Sequence, residues 1–217
     1  MEFCPKLTDV SAACTMQTLR EINFERCPVS SLQGIQNLYD LENVGICNTN
    51  ITSLEGIEGL KHLSTVRLCG AYIKDLSPLA AVDFTYAAEH DGVQLALNVM
   101  NSGFLREGTF AFLADLPAIR RLEVNDIPVA MWLDYVMDRP VRELQADNCG
   151  ITQEQFEAFV TAHPELEEIS FAWNQRITDA SCLRSMPESP RRVCLSHDME
   201  KAIASLGEGY RFELQVY

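Results

Sequence analysis

Apolar residues recur with a strict spacing in the first third of the chain. They stand three residues apart within each run, and the runs repeat every 22 residues. The runs are Leu32-Ile35-Leu38-Leu41, Leu54-Ile57-Leu60-Leu63 and Leu76-Leu79-Val82. An α-helix has a period of about 3.6 residues and a strand a period of about two, so neither produces this spacing. A stack of short, similar turns does, and the sequence therefore predicts a solenoid.

Each turn is predicted to begin with a strand. The unit reads L-x-x-(I/V)-x-(F/I/L)-x-x-(C/T/A)-x-(I/V) and starts at Leu19, Leu41 and Leu63. Because side chains alternate along a strand, the fourth and sixth positions should point into a shared core. The third, fifth and seventh positions should then face solvent on the inner curve. One turn cannot bury its own apolar edge, so neighbouring turns must stack at about 4.8 Å.

This unit resembles the leucine-rich repeat, L-x-x-L-x-L-x-x-N/C-x-L. Its 22-residue form is similar to the repeats of internalins and of phosphatase-regulating solenoids. The resemblance implies an α/β solenoid, a right-handed superhelix with a concave parallel β-sheet and 3₁₀ or α-helical segments on the convex side. Cys27, Thr49 and Ala71 stand where the family usually has Asn. That Asn normally bonds the backbone of neighbouring turns, so we expect the N-terminal turns to be less well tied together.

Longer turns are predicted in the second half. Starts fall at Gln94, Ile119, Val141 and Leu166, in steps of 25, 22 and 25 residues. The first of these starts places Ala96, Asn98 and Met100 on the inner curve. Convex helices are predicted for 105–116, 128–136 and, after the cap residue Thr152, for 153–160. This half resembles the ribonuclease-inhibitor-like subclass, which carries a helix on its convex side.

The pattern predicts a single leucine-rich repeat domain over residues 1–217. Its parts are an N-terminal cap (1–18), 22-residue repeats (19–82), an insertion loop (83–93), longer repeats (94–197) and a C-terminal cap (198–217). The insertion carries Tyr86, Glu89, His90 and Asp91. It is either a binding loop that projects from the solenoid edge or a bridge that adjusts the twist between two repeat types.

Charge narrows the classes of partner. The chain has 17 basic and 31 acidic residues, a net charge of −14. This argues against nucleic acid and anionic membranes as partners. It permits a basic protein partner, although solubility alone also explains acidity. No apolar run is long enough to span a membrane, and Met1 to Pro5 show no signal-peptide pattern, so the predicted location is cytoplasmic. The alternative is an effector exported without a cleaved signal.

No catalytic pattern stands out, and the chain is predicted to be neither an enzyme nor a carrier of a metal or cofactor. The eight cysteines are predicted to be reduced, because most occupy repeat positions that suit a small apolar residue. Cys194, three residues before His197, is the pair that an enzyme or a metal site would use. His62 and His163 lie in convex segments, where a solvated side chain is expected. Met16 is expected to share the apolar position of Leu38.

The inner curve is predicted to be the functional surface. Its candidate contact residues are Asn23, Glu25, Asn43, Arg67, Asn98, Arg121, Glu123, Asn125, Gln145, Asp147, Ser170 and Trp173. Trp173 should lie at the rim, either as an interface anchor or folded back over Asn174. The predicted function is non-catalytic binding of a protein partner. The alternative, implied by the ribonuclease-inhibitor resemblance, is an inhibitor or immunity-type protein that neutralises a basic enzyme or toxin.

Overall fold

The computed structural model describes residues 4–73, 75–99, 105–186 and 190–217. The chain divides into two compact units, Met1–Ala118 and Ile119–Tyr217, called here the N-terminal and C-terminal units. Met100, which was predicted to face the inner curve, lies outside the described residues.

Short parallel strands form the sheet of the N-terminal unit. They are β1 (Glu21–Asn23), β2 (Asn43–Gly45), β3 (Thr65–Arg67) and β4 (Val93–Ala96), in chain order. Ile22, Val44, Val66 and Leu95 are in register and are at most 4% exposed. The fourth position of the three 22-residue turns thus points into the core, as the period predicts, and Leu95 takes the equivalent place in β4.

The predicted register of the fourth turn is wrong. Gln94 pairs with Thr65, and Ala96 pairs with Arg67. Gln94, Ala96 and Asn98 therefore occupy the inner-curve positions, two residues earlier than the start at Gln94 requires. The segment before β4 contains a short helix, Thr85–His90, that takes up the extra chain length. The spacing of leucines does not show how many residues such a helix will absorb.

The convex side of the N-terminal unit consists of short helical turns. It has 3₁₀ helices at Ala13–Thr15, Ile35–Asn37, Ile57–Gly59 and Ala111–Asp115, with α1 (Ser77–Ala80) and α2 (Thr85–His90). Two expectations fail here. Met16 is 56% exposed, whereas Leu38, at the equivalent position of the next turn, is fully buried. The helix predicted for 105–116 is only the 3₁₀ helix Ala111–Asp115 in the residues described.

Parallel strands also form the sheet of the C-terminal unit. They are β5 (Ile119–Glu123), β6 (Val141–Gln145), β7 (Glu168–Ser170), β8 (Arg192–Leu195) and β9 (Glu213–Val216). The register pairs Arg121 with Glu143, Glu143 with Glu168, and Glu168 with Arg192. These pairs follow the predicted starts at Ile119, Val141 and Leu166. The inner-curve positions of this unit are therefore those read from the sequence.

The convex side of the C-terminal unit mixes helix types. It has 3₁₀ helices at Val129–Met131 and Ser181–Ser185, and α3 (Leu133–Val136), α4 (Gln153–Ala162) and α5 (Glu200–Ser205). The helix predicted after Thr152 is confirmed: Thr152 and Gln155 cap each other, and Phe156 packs edge-on against Phe171 at 5.1 Å between ring centroids. The single helix predicted for 128–136 is wrong, because the chain changes from 3₁₀ to α geometry at Trp132.

His163 contradicts its predicted solvation. It is 4% exposed and stacks on Phe159 at 4.0 Å. Its Nδ1 lies 2.8 Å from the Phe159 carbonyl oxygen, and its Nε2 lies 3.0 Å from that of Arg139. The ring thus joins the end of α4 to the end of the preceding turn, which repeat spacing alone does not reveal.

The eighth position of the turns has left-handed backbone geometry. Asn48, Asp126, Asn148 and Trp173 have φ values between 54° and 63°, and Gly70 has 68°. Gly and Asn accept this region readily, whereas a bulky residue such as Trp is unusual there. The backbone reverses direction at this position, so these side chains line the edge that follows each strand.

The ninth position carries an uneven hydrogen-bond ladder. Asn174 is buried, and its Oδ1 accepts from the amides of Cys149 and Ile151 at 3.1 and 3.0 Å. Its Nδ2 donates to the carbonyls of Ala146 and Phe171 at 2.8 and 2.9 Å. Thr49 makes only a 2.9 Å bond to its own turn and a long one from Ile51. Asn174 therefore bridges two turns where Thr49 ties only one.

Candidate functional site

The inner curve of the N-terminal unit is built around Gly45. A Cβ added there would lie 3.0 Å from Asn23 Oδ1 and 3.3 Å from an Arg67 guanidinium nitrogen. The bare glycine backbone therefore lets the side chains from both neighbouring strands, β1 and β3, lie over β2. Asn43 is half-buried on the same face, at the third position of its turn. Asn23, Asn43 and Arg67 thus form one polar surface.

The seventh positions of this unit carry Glu25, Cys47, Cys69 and Asn98. The Cys69 thiol lowers the pKa of Cys47 to about 7 through a hydrogen bond, helped by the Cys69 backbone and the Arg67 charge and opposed by burial and Glu25. A pKa in this range favours partial ionisation of the Cys47 thiol near neutral pH. Asn98 Oδ1 is a buried acceptor without a hydrogen-bond partner in the part of the chain described.

Charged side chains of the C-terminal unit pair with one another. Glu143 lies 2.8 Å from Arg120 and 3.3 Å from Arg121. Arg121 also contacts Glu123 at 2.6 Å. Glu167 lies 3.0 Å from Arg120, 2.8 Å from Arg142 and 2.7 Å from Arg191. The predicted contacts Arg121 and Glu123 thus belong to a network that fixes their positions before any partner arrives.

Residues at the fifth and seventh positions of the C-terminal unit hold one another in place. Asn125 Oδ1 accepts from the Asp147 amide at 2.9 Å. Asp147 Oδ1 accepts from the Ser170 hydroxyl at 2.6 Å and from the Ala172 amide at 2.8 Å. Gln145 is half-buried beside them on β6. Asn125, Asp147 and Ser170 therefore shape this surface through their mutual hydrogen bonds.

Burial raises the pKa of Asp147, against the hydrogen bonds from Ser170 and Ala172 that lower it. Because this pKa is higher in the folded than in the unfolded state, the ionised carboxylate lowers the free energy of unfolding at pH values above the folded-state pKa. The loss disappears as the pH falls toward the ordinary pKa of aspartate. Asp147→Asn keeps an oxygen for both hydrogen bonds. We expect it to be more stable than the parent at pH 7 and to lose that advantage near pH 4, measured by urea unfolding at both pH values. An advantage equal at both pH values would contradict this.

Trp173 lies at the edge after β7, exposed by 48%. Its amide donates to the Ser196 hydroxyl at 2.7 Å, and its ring stacks on Tyr217 at 5.8 Å between centroids and 15° between planes. Trp173 therefore does not fold back over Asn174, the alternative considered above. It forms an exposed aromatic pair with Tyr217, a residue that the sequence did not mark because the contact skips a turn.

The Cys194 thiol is buried on β8, near Gln215 and Tyr217. Burial raises its pKa, so the neutral thiol is favoured. A nucleophilic or metal-binding cysteine requires the thiolate. The described residues contain no group of three His, Cys, Asp or Glu side chains arranged to hold a metal ion.

The segment 83–93 packs its helix α2 against the strand edge of its own unit. The Tyr86 hydroxyl donates to Glu42 at 3.2 Å, and the Tyr86 ring stacks on His90 at 4.0 Å and lies 4.7 Å from His62. Tyr86 and His90 are therefore engaged in contacts within their own unit. Glu89 and Asp91 are exposed.

The solved structures that resemble this chain include two internalins. Internalin C2 of Listeria monocytogenes strain 4b F2365 matches with a TM-score of 0.52 and 20% identity over 81% of this chain and 80% of that chain. A second internalin of the same strain matches with a TM-score of 0.50 and 15% identity, over 97% of this chain and 66% of that chain. The fold is that of leucine-rich repeat proteins.

The leucine-rich repeat assignment rests on these structures and on the strand register, since neither protein-family models nor curated protein sequences match this chain. At this level of identity the likeness concerns the fold. Within the ranges described, no helix has the length and apolar content needed to cross a bilayer.

Proposed function

We propose that this leucine-rich repeat protein is a non-catalytic module that binds a protein partner on its inner curve. The supporting observation is that polar side chains gather on the strands and that ion pairs hold some of them in the C-terminal unit. Arg67 lies over Gly45 in the N-terminal unit, and Arg121 is fixed by Glu123 and Glu143 in the C-terminal unit. A preorganised polar surface loses little side-chain entropy on association, which favours specific binding.

Asn43 and Gln145 are half-buried on the strands and lie at inner-curve positions in register with their neighbours. The net charge of −14 favours a partner with basic surface. The alternative of an inhibitor or immunity-type protein gains no support from the fold or from the similar structures, and we do not propose it.

Substitutions on opposite faces test this proposal. The partner is first captured from a lysate of the cells that make the protein and then purified. Asn43→Arg and Gln145→Arg place a bulky charge on the inner curve, and we expect each to weaken binding about tenfold, the effect of about 1.4 kcal/mol. Gln36→Arg and Ser185→Arg add the same charge to exposed positions in convex 3₁₀ helices and should change binding less than about twofold. Calorimetry on the folded variants measures all four.

The proposal is wrong if the convex variants weaken binding and the inner-curve variants do not. Photo-crosslinking gives an independent measurement. A crosslinker at position 43 or 145 should capture the partner, whereas the same group at 36 or 185 should not.

A further inference from the structure

The edge that follows the strands of the C-terminal unit carries a shallow depression of about 480 Å³. It is lined by Asp126, Asn148, Gly150, Trp173, Gln175 and Arg176. Asp126, Asn148 and Trp173 all stand at the left-handed eighth position of successive turns. The shared backbone geometry therefore places a carboxylate, an amide and an indole in one row.

The amide nitrogens of two lining residues are bound to carboxylates. Asn148 Nδ2 donates to Asp126 Oδ1 at 2.8 Å, and Gln175 Nε2 donates to Asp198 Oδ2 at 2.7 Å. An ionised carboxylate only accepts hydrogen bonds, so both amides must direct nitrogen toward it. Asn148 Oδ1, Gln175 Oε1 and the second Asp126 oxygen are the acceptors of the lining residues that neither of these bonds uses.

The indole of Trp173 supplies a flat wall. Tyr217 stacks against it from a later turn, whereas Asn148 belongs to the turn before it. Trp173 keeps 48% of its surface exposed, so the ring remains accessible beside the acceptors. An aromatic face next to several acceptors suits a planar cation that donates hydrogen bonds.

We propose that this depression binds an arginine side chain of the partner protein. A guanidinium group is planar, has five N–H donors and no acceptor, and stacks on aromatic rings, so it complements this lining better than an ammonium group does. The inference rests on the proposed function, which is protein recognition. It specifies the chemistry of the partner at one point of contact. The net charge of −14 favours the approach of such a residue.

Arg176 is the cation among the six lining residues and is exposed. Its positive charge repels an incoming guanidinium. Arg176→Ala is therefore expected to strengthen binding of an arginine probe about twofold to threefold, as removal of a like charge at an exposed site does.

The test uses the full chain and the peptide acetyl-Gly-Arg-Gly-amide. The readout is the indole N–H signal of each tryptophan in an NMR titration. The Trp132 Nε1 is buried and donates to Ile127 at 3.2 Å, so its signal is an internal control. We expect the Trp173 signal to shift with a Kd on the order of millimolar, since exposed cation–π contacts are weak. The Trp132 signal should not move.

Two further peptides and two aspartate variants test whether the depression recognises a guanidinium group. Citrulline in place of arginine should abolish the shift, and lysine should weaken binding at least about threefold. Asp126→Asn should weaken arginine binding about threefold to fivefold, whereas Asp138→Asn removes the same charge at an exposed position outside the lining and should have little effect. Equal binding of arginine and citrulline, or equal effects of the two aspartate substitutions, would overturn the proposal.

Failure here and failure of the proposed function are distinguishable. If Asn43→Arg and Gln145→Arg weaken partner binding while the arginine peptide leaves Trp173 unchanged, the protein binds its partner without this depression. If the peptide binds and the inner-curve variants have no effect, the arginine site stands and the inner-curve proposal falls.

Discussion

Trp132→Ala is expected to lower the free energy of unfolding by about 3–5 kcal/mol, the usual cost of removing a large buried aromatic side chain. Trp132 is fully buried where the convex segment changes from 3₁₀ to α geometry, and its Nε1 donates to the Ile127 carbonyl. The truncation leaves a cavity and also leaves that carbonyl without this donor. Urea unfolding followed by circular dichroism measures the loss.

The other tryptophan is the matched control. Trp173→Ala should change stability by no more than about 0.5 kcal/mol, as exposed substitutions usually do. Trp173→Asn should be neutral or stabilising by up to about 1 kcal/mol, because Asn tolerates the left-handed backbone better than a bulky residue does. Equal losses for Trp132→Ala and Trp173→Ala would show that the edge aromatic pair is part of the folding core, contrary to its exposure.

Asn174→Ala is expected to cost about 3–5 kcal/mol, because a buried group left without its hydrogen bond costs about 1–3 kcal/mol and several lose theirs together. The Cys149 and Ile151 amides lose their acceptor, and the Ala146 and Phe171 carbonyls lose a donor. These groups lie on two neighbouring turns. The loss should therefore reach residues on both sides of Asn174, which amide hydrogen exchange can locate.

Two variants provide a comparison for the stability cost of Asn174→Ala. Thr49→Ala removes the hydroxyl from the equivalent position of an N-terminal turn and should cost about 1–2 kcal/mol, since one short hydrogen bond is lost. Asn50→Ala removes an exposed amide and should cost no more than about 0.5 kcal/mol. If Asn174→Ala cost no more than Asn50→Ala, the ladder would contribute nothing to stability.

The regular part of the fold could be predicted because the repeat period alone determines which side chains face inward. Leu32, Leu54 and Leu76 are each at most 2% exposed, and the strands of the C-terminal unit follow their predicted register. The predicted Thr152 cap is also confirmed, because a capping box is a local pattern.

The remaining features depend on contacts between turns, which spacing does not encode. The fourth strand shifts by two residues because α2 shortens the segment before it. Arg120, Arg142, Glu167 and Arg191 stand one residue before the inner-curve positions, so the pattern did not mark them, yet they complete the ion-pair network. His163 is buried by its stacking on Phe159, and Trp173 meets Tyr217 across an intervening turn.

The binding residues themselves remain predictions, for a physical reason. A polar side chain on a strand looks the same in sequence whether it meets a partner or a neighbouring turn. Asp147 and Ser170 bond each other, although both stand at inner-curve positions like those of Asn43 and Gln145. Only binding measurements on variants separate the two roles.

The left-handed eighth position has a stereochemical consequence. An amino acid of the D series prefers positive φ for the same steric reason that an L residue avoids it. A D-asparagine placed at 48 or 148 by chemical ligation would therefore sit in its own preferred region, where the natural residue is merely tolerated. D-amino acids, which resist proteases, can therefore be introduced at these turns without disturbing the strands.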